Sequence, residues 1–356
     1  MTGPDRPLVT SRPVVVTGAS GFIAAHVVRD LLARGYAVRG TVRSLSAPAR
    51  VAHLRRLPGA DARLELVEAD LLSPETIEAA VSGAEYVLHT ASPYVLDVTD
   101  PQRDLVDPAV HGTTSVLEAC RRAGVTRVVL TSSMAAITDE PDAHHVLTEA
   151  DWNTRSSLDR NPYYYSKVMA ERAAWRFMEH GAPFSLVALN PFLVMGPSLS
   201  PGVNVSNQVL VDLLAGVYPA IISLAWGVVD VRDVADAHVR AMEQPSASGR
   251  YILAGETITM RALVDLLRQL GYGKGWKLPR VGLDCAIGDG VVKLSAYQRA
   301  PGVGMYLRTH VGRVPRYDAS KARRELGMVF RPIEETVRDT MADLQQRGDL
   351  PPRAAA

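Results

Sequence analysis

The stretch Val14-Val15-Val16-Thr17-Gly18-Ala19-Ser20-Gly21-Phe22-Ile23-Ala24 decides the fold of this chain. A β-branched run ends at Thr17 and an apolar pattern with helical spacing follows Gly21, so we predict a strand, a tight turn and a helix. Gly18 permits a turn conformation that a side chain would resist, and Gly21 lets a pyrophosphate approach the positive end of the helix. The glycine spacing is looser than Gly-x-Gly-x-x-Gly, so an ordinary strand-to-helix turn is the alternative interpretation.

The rest of the first half repeats this alternation of strand and helix. Nearly continuous apolar runs predict five further buried strands, at residues 37–42, 63–67, 86–89, 127–130 and 184–189. Helical patterns lie between them, at residues 49–57, from Ser73-Pro74 onward and at 104–123. We therefore predict an α/β protein with a Rossmann-type, doubly wound parallel sheet and a smaller C-terminal substrate lobe.

After residue 194 the regular alternation is lost. Residues 196–207 are rich in Gly, Pro, Asn and Ser and predict a loop. The pattern then predicts a strand at 228–231 and a helix in which Asp233 and Asp236 serve as N-cap and first-turn acid. We also predict a strand at 251–253 and helices at 258–269, 318–326 and 332–346, and we leave 283–311 unassigned.

These patterns divide the chain into two parts. We predict a dinucleotide-binding domain at residues 12–193, to which the segment 226–256 returns, and a mainly substrate-binding lobe at 194–347. Residues 1–11 and 348–356 show no periodicity and are predicted to be frayed tails. We expect the substrate between the two parts, because such sites prefer domain junctions.

The composition excludes several classes of function. The chain has 356 residues with 39 basic and 38 acidic side chains, and a formal charge of +1 does not favour nucleic acid or an anionic membrane as a partner. The longest uncharged run, residues 213–229, contains a proline and is shorter than the roughly 20 residues of a membrane span. The two cysteines and scattered histidines lack metal-ligand spacing, so we expect no metal. We expect a small-molecule substrate, a reducing cytoplasmic location, and a monomer or homodimer.

Small and polar residues stand at the ends of the predicted strands. Ligands of open α/β sheets bind beyond the carboxyl ends of the strands, so these residues are candidates for a cofactor site. Singly, Asp70 could be a turn residue and Ser92-Pro93 the start of a loop. With the glycine-rich turn, the predicted contacts are Gly18, Ser20, Gly21, Phe22, Ile23, Arg43, Asp70, Leu71, Thr90, Ala91, Ser92, Thr131, Ser132, Pro191 and Leu193.

Arg43 follows the second predicted strand, where the adenosine ribose of a bound dinucleotide would lie. An acidic residue at this place binds the ribose 2′-hydroxyl, whereas a guanidinium fits a 2′-phosphate. We therefore favour NADP(H) over NAD. The alternative is an incidental surface arginine, because arginine is abundant in this chain.

The segment Asn161-Pro162-Tyr163-Tyr164-Tyr165-Ser166-Lys167 carries the predicted chemistry. Tyr163 and Lys167 are four residues apart and share one face of the helix that the pattern predicts. A phenol, with a pKa of about 10, is a poor acid at neutral pH, and a nearby ammonium favours the phenolate and lowers that pKa. The pair therefore suits proton transfer to the alkoxide that forms when a carbonyl is reduced by hydride from a nicotinamide. Both residues are also predicted cofactor contacts.

Lysine usage supports a special role for Lys167. The chain contains lysine at positions 167, 274, 277, 293 and 321, so 39 − 5 = 34 of its 39 basic residues are arginine. An ammonium at 167 supplies a compact charge with rotatable donors, which arginine supplies poorly. A solvated helix lysine is the alternative, and Tyr164 and Tyr165 compete with Tyr163 but lack the four-residue spacing.

Ser132 and Ser133, after the fifth predicted strand, offer a hydroxyl to polarise a carbonyl. A hydroxyl held toward a developing oxyanion acts as a preorganised donor. We choose Ser133, at the outer end, as the catalytic serine. Ser132 is then expected on the nicotinamide side.

With these motifs in place, the chain resembles the extended short-chain dehydrogenase/reductase family, in the branch of dihydroflavonol, cinnamoyl-CoA and yeast-type methylglyoxal/carbonyl reductases. The resemblance covers residues 13–347 and rests on segments 16–23, 41–43, 89–93, 131–133, 163–171, 190–191 and 230–234. It implies a catalytic triad of Ser133, Tyr163 and Lys167, with the lysine also binding the nicotinamide ribose. It further implies NADP(H), with the 2′-phosphate near Arg43.

Departures from the family pattern concern the substrate. Thr138 stands where plant flavonoid reductases have a substrate-contacting asparagine. Pro162, Tyr164 and Ser166 replace the Trp, Cys and Gly of the cinnamoyl-CoA reductase signature. We therefore expect an NADPH-dependent carbonyl reductase acting on a ketone or aldehyde. The alternatives are a sugar-nucleotide epimerase or dehydratase, a 3β-hydroxysteroid dehydrogenase, and a non-catalytic NADP-binding sensor.

Overall fold

The computed structural model describes residues 11–92, 99–142 and 144–353. Pro93, which the sequence places at a strand end, lies outside these ranges. In chain order the strands are β1 (Val14–Thr17), β2 (Val38–Val42), β3 (Leu64–Glu68), β4 (Tyr86–His89), β5 (Arg127–Thr131), β6 (Ser185–Pro191), β7 (Leu193–Met195), β8 (Ala220–Ile221), β9 (Ala225–Asp230), β10 (Gly249–Leu253), β11 (Glu256–Thr259) and β12 (Val281–Gly282).

Helices connect most of these strands. The α-helices are α1 (Phe22–Ala33), α2 (Ala52–Arg55), α3 (Ala60–Arg63), α4 (Pro74–Val81), α5 (Asp107–Ala123), α6 (Pro162–Glu179), α7 (Val205–Ala215), α8 (Val231–Glu243), α9 (Met260–Leu267), α10 (Ala286–Ser295), α11 (Pro301–His310), α12 (Ser320–Glu325) and α13 (Ile333–Arg347). Short 3₁₀ or π turns occur at Pro48–Arg50, Gln102–Val106, Met134–Ala136, Arg268–Tyr272 and Ala296–Gln298.

The main sheet is parallel throughout and has the strand order β10-β6-β5-β4-β1-β2-β3. The order reverses at β1, where Val14 pairs with Val38 of β2 on one side and with Tyr86 of β4 on the other. The chain runs outward from β1 through β2 and β3 on one side and then crosses to β4 on the other side. A crevice therefore opens between the carboxyl ends of β1 and β4. The predicted doubly wound fold is confirmed.

Both faces of the sheet are covered, which is why β1 is apolar at every position except its last. Val14 and Val16 pack into the cluster that contains α1 and α8. Val15 points to the other face, in a cluster built largely from α4 and α5. Side chains alternate across a strand, so a strand buried on both faces has no polar side.

A second apolar cluster is built mainly from β7, β8, β9 and β11 with α7, α9 and α13, and these strands form small sheets of their own. β9 lies between β7 and β11, and β8 pairs with β12. Residues of α7, α9 and α13 pack around Trp226 and Val228 of β9. β10 instead joins the main sheet at the outer side of β6, where Tyr251 pairs with Leu189.

Two predictions about this half are wrong. Residues 256–259 form β11, antiparallel to β9, and the helix begins only at Met260, because the Thr259 hydroxyl accepts a hydrogen bond from the Ala262 amide at 3.1 Å. The N-cap of α8 is Asp230, whose carboxylate accepts from the Arg232 amide at 2.8 Å. Asp233 is in the first turn, buried against Arg331, and burial raises its pKa to about 6.

Other helices begin or end at residues that differ from the prediction, but the order of the predicted strands and helices is unchanged. The helix predicted at 49–57 is interrupted and consists of a 3₁₀ turn, Pro48–Arg50, followed by α2. The long helix predicted from residue 104 starts with the π turn at Gln102–Val106 and continues as α5. The unassigned stretch 283–311 contains α10 and α11.

The turn at Gly18 gives a test of the fold. Gly18 and Gly83 have φ of +64° and +71°, so alanine at either costs about 1–2 kcal/mol of backbone strain. A Cβ at Gly18 would lie 3.0 Å from the Ala91 Cβ, whereas a Cβ at Gly83 meets no described heavy atom within 4 Å. We expect Gly18→Ala to lower the free energy of unfolding in urea by about 1 kcal/mol more than the control Gly83→Ala. Equal losses would contradict the close approach of β1 and β4.

Candidate active site

The N-terminus of α1 presents backbone amides at the carboxyl end of β1. The helix begins after Gly21, with no side-chain cap and no acidic residue in its first turn. A Cβ on Gly21 would lie 3.2 Å from the Gly18 carbonyl oxygen, so the turn is compact. Ser20 and Phe22 lie half-buried beside it. An uncapped helix N-terminus of this kind fits a phosphate group.

Thr17 connects the ends of β1 and β4. Its hydroxyl oxygen accepts hydrogen bonds from the amides of Thr90 and Ala91, each at 3.1 Å. The same hydroxyl lies 2.8 Å from Nδ1 of His89. Burial, and to a lesser degree Lys167, lower the pKa of His89 to about 4, so this imidazole is neutral near pH 7. The Thr17 hydroxyl thus holds the predicted cofactor contacts Thr90 and Ala91 at the crevice through their backbone amides.

Lys167 reaches the same crevice from α6. It is buried, and its Nζ donates to the Ser92 hydroxyl at 2.7 Å. Burial lowers the pKa of Lys167 to about 8, which leaves it charged at neutral pH. Nζ lies 5.6 Å from the ring centroid of Tyr163, so the predicted pair is brought together.

At the start of α6, Tyr163 and Tyr164 face different partners. Asn161 adopts the left-handed conformation with φ of +49°, and Pro162 follows in the first turn of the helix. The Tyr164 hydroxyl lies 3.3 Å from Nε2 of His310 in α11, so Tyr164 is directed to the C-terminal part of the chain. Tyr163 is half-buried on the face it shares with Lys167.

The side chains of the three hydroxyl residues at the end of β5, Thr131, Ser132 and Ser133, have different partners. Thr131 Oγ1 lies 2.7 Å from Nε2 of His238, and the Ser132 hydroxyl donates to Glu171. Both hydroxyls therefore bind interior groups, and the expectation that Ser132 lies on the nicotinamide side stays a prediction. Contacts through their backbone stay a prediction. Ser133 is half-buried, and its Oγ accepts from the Ala135 amide at 3.1 Å, which leaves the hydroxyl proton for another acceptor.

The remaining predicted contacts lie along the carboxyl edge of the sheet. Arg43 is exposed at the end of β2, and Asp70 is exposed after β3, where its carboxylate accepts from the Leu72 amide at 2.9 Å. Leu71 packs against Gly112 of α5. Pro191 ends β6 and Leu193 begins β7.

Sequence reasoning missed a buried ion pair behind the serines. Glu171 follows Lys167 by one helical turn, and its carboxylate pairs with Arg250 of β10 at 2.6 Å. Asn190, at the end of β6, donates to the same carboxylate at 2.8 Å. The spacing of Tyr163, Lys167 and Glu171 was a usable signal, because residues four apart in a helix share a face.

Across residues 11–92, 99–142 and 144–353, no group of three or more His, Cys, Asp or Glu side chains is arranged to hold a metal ion. In the same part of the chain, none of the helices has both the length and the apolar character that crossing a membrane requires.

The buried ammonium predicts how stability depends on pH. Unfolded lysine has a pKa near 10.5 and folded Lys167 about 8, so this group makes the free energy of unfolding rise from pH 8 to 10.5. Below pH 8 the buried charge costs about 3 kcal/mol. We expect Lys167→Met to be more stable than the parent at pH 7, with a gain that shrinks toward pH 10. Urea unfolding at both pH values measures it, with exposed Lys274→Met as control; a gain independent of pH would contradict the lowered pKa.

Comparison with known proteins agrees with this geometry. Residues 14–255 match the model of the NAD dependent epimerase/dehydratase family. Cinnamoyl-CoA reductase 1 of Arabidopsis thaliana is 38% identical over 348 residues, which cover 96% of this chain and 91% of that protein. Among solved structures, Gre2 of Candida albicans in complex with NADPH is 32% identical with a TM-score of 0.78, over 94% of this chain and 99% of that one.

A second solved structure, yeast methylglyoxal/isovaleraldehyde reductase Gre2 complexed with NADPH, is 31% identical with a TM-score of 0.78 and covers 95% of this chain and 100% of that one. These matches confirm the resemblance inferred from the motifs. This chain therefore belongs to the NAD dependent epimerase/dehydratase family, within the extended short-chain dehydrogenases/reductases.

Proposed function

We propose that this protein is an NADPH-dependent carbonyl reductase that reversibly converts a ketone or aldehyde to the alcohol. Tyr163 is the general acid, Lys167 supports it, and Ser133 polarises the carbonyl. The observation that carries the proposal is the buried ammonium of Lys167, 5.6 Å from the ring centroid of Tyr163 at the open edge of the sheet. A buried charge without a full ion-pair partner is costly and is typical of functional sites.

The residues at the crevice fit a dinucleotide. The uncapped N-terminus of α1 suits the pyrophosphate, and the compact turn at Gly18 and Gly21 lets it approach the backbone. Arg43 is exposed at the end of β2, in reach of solvent for a 2′-phosphate, and both Gre2 structures contain NADPH. When bound, NADPH supplies the hydride. The predicted cofactor and the assignment as an oxidoreductase agree with these relatives.

Proton transfer is then the task of the chain's own residues. Tyr163 donates its phenolic proton to the oxygen of the reduced carbonyl, and the Lys167 ammonium stabilises the phenolate that remains. The Ser133 hydroxyl donates a hydrogen bond to the same substrate oxygen as charge develops there. With its pKa lowered to about 8, Lys167 is still charged at pH 7 and loses its charge above pH 8.

The names of the relatives point to two classes of substrate, a CoA thioester and a simple aldehyde or ketone. Pro162, Tyr164 and Ser166 depart from the cinnamoyl-CoA reductase signature, and the structure directs Tyr164 to His310. The printed names of several relatives nevertheless keep a CoA thioester as a second candidate. NADPH oxidation with ketones, aldehydes and cinnamoyl-CoA under identical conditions separates them. Retained NAD without net turnover would favour an epimerase, and inertness with tight NADP binding a sensor.

We further propose a cytoplasmic location and a monomer or homodimer. The cysteines support the location, because Cys120 and Cys285 are both unpaired, one buried and one exposed. We also propose that the substrate lies between residues 12–193 and the lobe at 194–347, a proposal supported by the contact of α11 with the start of α6 through His310 and Tyr164.

The role of Tyr163 has a matched control in its neighbour. Loss of a positioned general acid lowers turnover by about 100-fold or more, so we expect that fall in kcat for Tyr163→Phe at saturating NADPH. Tyr164→Phe removes the same hydroxyl from the residue that faces His310 and keeps most of the kcat. Absorbance at the NADPH band with a reducible ketone measures both. A normal kcat in Tyr163→Phe would remove the proposed acid.

Cofactor choice depends on Arg43. A hydrogen bond between charged groups changes affinity by about tenfold or more, so we expect Arg43→Gln to raise the KM for NADPH by that factor. NADH lacks the 2′-phosphate, so its KM stays the same in the variant and serves as the internal control. Equal effects on the two cofactors would show that Arg43 does not contact the phosphate.

A further inference from the structure

Behind the site lies a carboxylate that is almost sealed from solvent. Glu171 is 1% exposed and its partner Arg250 is 7% exposed. Arg250 Nε donates to Glu171 Oε1 at 2.6 Å, and Trp175 Nε1 donates to the same oxygen at 3.1 Å. Arg250 also donates to the Glu149 carbonyl at 3.0 Å and stacks at 4.0 Å from the ring centroid of Trp152. The guanidinium is therefore held by several groups besides the carboxylate.

The other carboxylate oxygen, Oε2, faces the ends of β5 and β6. It accepts from the Ser132 hydroxyl and, at 2.8 Å, from Asn190 Nδ2. The same Asn190 nitrogen donates to the backbone carbonyl of Ser133 at 3.1 Å. One carboxylate thus holds the residue before Ser133 and, through Asn190, the Ser133 backbone itself. These contacts determine the direction in which the Ser133 side chain leaves the sheet.

The location of Glu171 adds a second link. It lies one helical turn beyond Lys167 on the face of α6 that also carries Tyr163. Any shift of Glu171 relative to the strand ends would also move the helix face that presents the phenol and the ammonium. Glu171 therefore lies where it can keep Ser133 in a fixed position relative to Tyr163 and Lys167.

We propose that Glu171, held by Arg250, is a positioning residue that orients the Ser133 hydroxyl toward the substrate oxygen through Ser132 and Asn190. Neither Glu171 nor Arg250 touches the reacting atoms. The inference rests on the proposed function, because it assigns Ser133 a role in carbonyl polarisation. It adds that the serine acts only while the buried carboxylate holds its backbone.

A double-mutant cycle tests this proposal. Glu171→Gln keeps the shape of the side chain and removes its charge, and Ser133→Ala removes the hydroxyl that Glu171 is proposed to orient. We expect each single variant to lower kcat by about tenfold or more, with the Kd for NADPH unchanged. In the double variant we expect no further fall, because residues that act as a unit are not additive. Trp175→Phe, which removes a donor on the Arg250 side of the carboxylate, is the matched control and keeps its kcat.

The outcomes separate the two proposals. Multiplicative losses in the double variant would overturn the positioning role and leave the reductase intact. An unchanged kcat in Ser133→Ala would overturn the catalytic serine itself. Should Glu171→Gln fail to fold, Ser132→Ala removes one donor to Oε2 and keeps the ion pair, and it enters the same cycle with Ser133→Ala. The same lack of additivity is expected there, and additivity would again contradict the proposal.

Discussion

The site depends on a single constraint, the burial of charged and polar side chains on one face of α6. Tyr163, Lys167 and Glu171 recur every fourth residue, so they form one stripe over two helical turns. Buried charges need partners, and the partners come from four strands: Ser92 after β4, Ser132 after β5, Asn190 near the end of β6 and Arg250 near the start of β10. The parallel sheet brings the first three to its carboxyl edge, and the helix stripe runs from that edge toward Arg250.

The C-terminal part of the chain contributes a second constraint at the start of α6. Nε2 of His310 meets the Tyr164 hydroxyl at 3.3 Å, and the His310 ring stacks on Tyr306 with centroids 4.1 Å apart. Trp226 Nε1 donates to the Tyr306 hydroxyl at 3.0 Å, which ties this stack to β9. Burial lowers the pKa of His310 to about 4, so His310 is neutral near pH 7 when it contacts Tyr164. This contact directs Tyr164 toward α11, whereas Tyr163 lies beside Lys167.

Much of the first half could be predicted from local patterns. The strand at Tyr86–His89 has the predicted bounds, and the glycine turn between β1 and α1 has the positive φ at Gly18 that its sequence indicated. Predictions failed where a distant partner decided the outcome. Ile258 fits a helical pattern, yet it pairs with Trp226 of β9, and Asp233 pairs with the distant Arg331 while Asp230 caps α8.

The sequence by itself determined the sheet class, the glycine turn before α1 and the Tyr163–Lys167 pair, because each depends on spacing within a few residues. Which hydroxyls face the crevice was decided only by tertiary structure. Thr131 and Ser132 are turned inward by His238 and Glu171, residues more than thirty positions away along the chain. Periodicity records which face of an element is buried. The partner of a buried polar atom depends on how the elements pack, and that information is not local.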